Sequence, residues 1–146
     1  MSRFDDLARQ VGMSATTRHP WRWLTAAVLV HLAVSMAHGA AHAGAQVPLS
    51  RASSLFVYIV ILAGPLAGLA LARVSRRTGS WLIALTLAGA LVFGIVNHFV
   101  LASPDHVSYV AAAWRPLFAT TAVLIALLEA AGSGLAFSMA LKGSGS

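Results

Sequence analysis

Read only for apolar and polar positions, the chain is four long apolar runs separated by short polar interruptions. The runs cover about residues 21–44, 55–72, 81–101 and 116–141. Each is long enough, at roughly 18 residues or more, to cross the hydrocarbon core as a helix. The pattern predicts an all-α fold: an integral membrane four-helix bundle. Short connections make it up-down-up-down.

Residues 1–20 precede the first run and are mostly polar. Within them, SRFDDLARQVGM places Phe4, Leu7, Ala8 and Val11 at helical spacing, with Ser2 and Asp5 resembling a capping box. This predicts a short amphipathic helix lying on the membrane surface. The first run is too long, and starts too late, for a cleavable signal peptide. Residues 142–146, KGSGS, read as an appended scar outside the fold.

Small residues mark where helices approach. The second run contains Gly64 and Gly68 in GxxxG spacing with Pro65 between them. Pro65 predicts a kink. Gly132, Ser133 and Gly134 in the fourth run, and Gly39 with its alanine neighbours in the first, suit close packing in the same way.

Composition agrees with the pattern. Of 146 residues, 58% are hydrophobic and 10% charged, against about 25% charged in a soluble domain. The mean hydropathy is +0.78, which leaves no room for a separate soluble domain. The net charge of +6 does not indicate nucleic acid, because the basic residues flank the apolar runs and form no patch interleaved with aromatics. Arg3, Arg9, Arg18, Arg22, Arg73, Arg76 and Arg77 fall on one side of the predicted bundle, and only Arg51 and Arg115 on the other. The positive-inside rule then puts both termini in the cytoplasm, in an inner or plasma membrane of bacterial type. The implied partners are the lipid bilayer and a metal ion; homo-oligomerisation is left open.

The histidines are the chemistry this sequence offers. His31, His38 and His42 lie within about 20° of one another around the first helix, since a helix turns about 100° per residue. His38 and His42 are an i, i+4 pair, the spacing by which one helix supplies two ligands to one metal. At about 1.5 Å per residue, His98 near the end of the third run reaches roughly the level of His38. Asp105 and His106 come in the next connection, and Asn97 and Tyr58 fall nearby. Below this layer, His31 and Glu129, the sole acid within a run, share a level. Ionisable groups inside spans usually face the bundle interior and serve a function.

With no cysteine, a metal must be held by nitrogen and oxygen. The expected ligands are His38, His42 and His98, completed by Asp105 or His106, and the expected metal is zinc, iron or copper. His31 and Asn97 form a second layer, and Glu129 and Tyr58 are the candidate catalytic groups. HGAAH lacks the glutamate of the zinc-protease HExxH, and one intramembrane glutamate is too few for a ferritin-like di-iron site. The reading is a small membrane protein with a transition-metal site near the outer face, used either by an enzyme on an apolar substrate or by a binding or transport protein. Two alternatives stay open: haem b ligated by histidines of two spans, and an accessory subunit whose histidines only hydrogen-bond between helices.

Overall fold

A computed structural model describes residues 3–142, with side chains from Pro20 onward. Four helices make up the fold: α1 (Arg3–Gly44), α2 (Arg51–Leu71), α3 (Arg76–Val100) and α4 (Arg115–Lys142). There is no strand among the described residues. All four are long and apolar enough to cross a membrane, α1 over Pro20–Gly44. The α1 helix continues through Pro20. The amphipathic stripe expected on Phe4, Leu7, Ala8 and Val11, the Ser2–Asp5 cap, His19 and the residues after Lys142 lie outside the described residues and side chains.

Two helices begin earlier than the apolar pattern suggests, and the cause is capping. Ser50 accepts the backbone N–H of Ser53 at 3.0 Å and starts α2 at Arg51. Ser75 does the same for Thr78 at 3.3 Å and starts α3 at Arg76. A side-chain oxygen at this position satisfies a donor that the helix itself leaves open. The end of α1 is equally defined. Val47 N–H bonds to the His42 carbonyl at 3.0 Å and Gln46 N–H to that of Ala43 at 3.2 Å, with Gln46 left-handed at φ 55°. That is a Schellman cap, and Val47 packs on the apolar cluster of Ala41, Val110 and Phe118.

Polarity runs opposite to that of a soluble bundle. Leu29, Val30, Ile59, Leu85, Val92 and Leu127 are exposed, whereas His31, His38, His42, His98, Thr121 and Glu129 are buried. An apolar exterior around a polar centre is what lipid selects. Two apolar clusters close the ends of this centre. One joins Leu24 and Val28 of α1 to Ile83, Ala84 and Leu87 of α3 and Ala136 of α4. The other joins Ala41 of α1, Phe118 of α4 and Val110 of the 101–114 connection.

Packing among the helices is uneven. The closest pair is α3 with α4; α2 leans on α3, α1 leans on α4, and α1 and α2 scarcely approach. The α2–α3 seam explains the glycines. A Cβ on Gly68 would stand 2.5 Å from Ile83 Cγ1, and one on Gly79 would stand 2.5 Å from the Gly68 carbonyl oxygen. The predicted GxxxG thus has its partner in α3, and backbone meets backbone there.

The helix α2 is π-helical over Val57–Ala63, directly before Gly64 and Pro65. Pro65 donates no hydrogen bond and its ring crowds the carbonyl four residues back. A widened turn accommodates that crowding without a break in the helix. No residue of the π-helical segment is fully buried.

Gly79→Ala should separate α2 from α3, because the methyl meets backbone that has no rotamer to yield. A loss of about 1–3 kcal/mol is expected for such overpacking, read as earlier unfolding in detergent. Gly134→Ala, where nothing lies within 4 Å of the added carbon, should be neutral.

Candidate metal centre

The centre is built by α1, α3, α4 and the connection between α3 and α4. One face of α1 carries His38 and His42, whose rings lie 4.8 Å apart edge to face. His98 comes from the last turn of α3, which is π-helical over Val96–Val100. The extra residue in that turn rotates His98 away from the direction an α-helix would give it, towards α1. π-turns are rare and recur at functional sites. Asn97 serves the same turn: its amide donates to the Phe93 carbonyl at 2.8 Å, so it holds its own helix and does not reach the histidines.

The 101–114 connection folds back over His98. Val107 N–H bonds to the His98 carbonyl at 3.0 Å, and the His98 ring bonds to the Asp105 carbonyl oxygen. Arg115 then ties the far end of the connection by donating Nε and Nη2 to the Val110 carbonyl. Asp105 is thereby buried, at 9% exposure.

These bonds set the state of each imidazole. A carbonyl only accepts, so His98 Nδ1 carries the proton in its 3.1 Å bond to Asp105 O. Thr121 gives its single hydroxyl proton to the Leu117 carbonyl at 2.7 Å and therefore accepts from His38 Nδ1 at 2.8 Å. Both rings are left with a lone pair on Nε2. Those two Nε2 atoms face each other at 3.2 Å. Two lone pairs at that separation require a cation between them, either a proton or a metal ion. With metal–nitrogen bonds of about 2.0–2.1 Å, two tetrahedral ligands stand about 3.3–3.4 Å apart, close to the 3.2 Å here.

His42 completes the cluster. Ligand atoms of His38, His42 and His98 all lie within 4.8 Å of one another, and all three residues are buried. That is wider than a tetrahedron edge, so small side-chain rotations close them on an ion. His42 Nδ1 makes no hydrogen bond, so that nitrogen has no partner to give up to an ion. The Phe118 ring covers all three imidazoles, with centroids 4.6, 4.8 and 5.2 Å from those of His38, His42 and His98. It excludes water from that side.

Asp105 stands behind the histidines. Its Oδ1 is 3.3 Å from His98 Nδ1 and 3.2 Å from His42 Nε2. It thus contacts His98 on the side opposite the nitrogen that faces His38, where a carboxylate orients a ligating histidine. Burial pushes the Asp105 carboxyl up; the His98 ring, then His42 and His38, hold it below the usual range nonetheless. A buried carboxylate of this kind needs a positive charge in the cluster.

The remaining candidates of the sequence pattern lie apart from this cluster. His106 turns to its own connection, accepting Ser108 N–H at 3.1 Å and packing on Tyr109; it is not among the three clustered histidines. Tyr58 stands on α2 across a cavity of about 460 Å³ and is 65% exposed. His31 Nε2 lies 3.1 Å from Glu129 Oε1, with Ser35 Oγ at 3.4 Å. Thr121 and Phe118 have roles that spacing alone does not reveal. The sequence signal for Thr121 is a Thr-Thr pair in an apolar helix, and it does not say which of the two turns inward.

Neither a family model, nor a curated protein, nor a solved structure matches this chain. The arrangement therefore rests on its own geometry.

Thr121→Val keeps the shape of the side chain and removes the acceptor for His38 Nδ1. The expected result is a loss of about 10–100-fold in metal affinity, the usual effect of removing an orienting partner, measured by chelator competition. Thr120→Val, on the exposed side, should bind as the wild type does.

Proposed function

We propose that this protein is an integral membrane metalloprotein holding one transition-metal ion through His38, His42 and His98. The reading is carried by the His38 and His98 Nε2 atoms, which face each other at 3.2 Å while both Nδ1 atoms are committed as donors. Asp105 orients His98 and balances the charge. Nitrogen ligands with a carboxylate suit zinc, iron or copper. The same 3.2 Å separation favours a bare ion over haem, since a porphyrin would have to pass between the two nitrogens.

The three-histidine set leaves room for an exchangeable position, as in catalytic sites and unlike closed structural ones. All three histidines line the cavity of about 460 Å³ between the four helices. A metal there supplies Lewis-acid or redox chemistry to what the cavity holds. The mostly apolar wall supports an enzymatic role on an apolar substrate. The arginine distribution supports an up-down-up-down topology with cytoplasmic termini and the metal centre near the outer face of a bacterial-type inner membrane.

Elemental analysis with an optical spectrum of detergent-purified protein tests the centre. About one metal per chain is expected, lost in the His38→Ala, His98→Ala double variant. A Soret band would transfer the reading to haem. Neither signal after reloading with zinc, iron and copper salts would mean that a proton joins the two imidazoles and that they only link helices.

The absence of cysteine makes topology directly testable. Ser75→Cys should react with an impermeant maleimide only from the cytoplasmic side, and Ser50→Cys only from outside. The reverse pattern would invert the proposed orientation.

A further inference from the structure

Glu129 is 1% exposed, and its two oxygens are in different situations. Oε1 lies 3.1 Å from His31 Nε2. Oε2 has no hydrogen-bond partner. A buried carboxyl oxygen left so is costly, by more than a hydrogen bond is ordinarily worth. Glu129 lines the same cavity as the three histidines, and His31 does not. An unpartnered carboxyl oxygen therefore belongs to a residue of the cavity wall.

The rest of the cavity determines what can meet that oxygen. Beside the histidines, Asp105, Glu129, Ser35, Ser54 and Tyr58, its wall is apolar, including Val57, Ile61, Leu62, Phe93 and Ile125. Its volume falls within the range of small-molecule sites, roughly 300–1,000 Å³. It lies where α1 and α2 scarcely approach, and its α2 wall is the π-helical segment in which no residue is buried. Met36 and Tyr58, exposed on α1 and α2, stand at this gap. An apolar molecule can enter sideways there without crossing water.

We propose that the cavity binds a small hydroxylated molecule from the lipid phase, a medium-chain alcohol or its like, with its hydroxyl on Glu129 Oε2. A hydroxyl is the complement because it donates to a carboxylate and also accepts from a protonated carboxyl. His31 acts as the positioning residue that holds Oε1 and so aims Oε2. The inference names the substrate class for the proposed metal centre, which shares the cavity, but it stands on Glu129 and not on the metal.

The test uses decanol carrying a diazirine, photolysed on the full chain in lipid nanodiscs and mapped by mass spectrometry, with metal content measured on the same samples. Labelling is expected on Val57, Ile61 or Phe93, displaced by decanol and not by decane. Glu129→Leu should weaken displacement by about tenfold or more, the effect of losing a hydrogen bond to a buried carboxyl. Glu129→Gln, which keeps a donor and an acceptor, should stay within about threefold. Equal displacement by decane, or labels confined to the outer faces of the helices, would overturn the proposal. So would wild-type affinity in Glu129→Leu, which would mean that Oε2 meets only water. If Glu129→Leu does not fold, the decanol–decane comparison on wild type decides alone. Metal present without alcohol selectivity sinks this inference and spares the metal centre; selectivity without metal does the reverse.

Discussion

Two imidazole lone pairs held 3.2 Å apart are the constraint on which this bundle is organised. Neither ring can turn away cheaply. Thr121 holds His38 from α4, and the Asp105 carbonyl holds His98 from the 101–114 connection. In lipid there is no water to replace those bonds. Three helices and one connection therefore converge on a point that needs a cation. The arrangement connects local backbone features that would otherwise look unrelated: the π-turn at Val96–Val100, the fold-back of the connection, and the Schellman cap that ends α1 just after His42.

The same economy explains where the bundle is tight and where it is loose. In a bilayer, helices gain little by hiding apolar side chains from one another, and close backbone approach and polar contacts hold them together instead. The α2–α3 seam uses the first device, through Gly64, Gly68 and Gly79. The α1–α4 contact uses the second, through His31 with Glu129 and His38 with Thr121. Between α1 and α2 neither device operates over the half that carries the histidines. That is where the cavity lies, with the three histidines in its wall.

Much of this was legible in the sequence because the relevant physics is one-dimensional. Apolar run length identifies spans, so four helices long enough to cross a membrane follow from four apolar runs. Helical periodicity puts His38 and His42 on one stripe, and rise per residue brings His98 to their level. Ser50 and Ser75, by contrast, extend two helices beyond their apolar runs, because capping is decided by a single hydroxyl that the hydropathy pattern does not register.

What the sequence alone determined was four runs long and apolar enough to cross a membrane, and the set of side chains too costly to leave in lipid. Each of these depends on composition and on spacing along one chain. Only the tertiary structure decided which of those side chains meet. His106 is the direct neighbour of Asp105, yet one turns outward to Tyr109 and the other is buried against His98. Thr120 and Thr121 are equally plausible acceptors until α4 is packed. These choices depend on the rotation of each helix about its axis and on the path of a connection. Contacts between distant residues set both, and no local pattern encodes them.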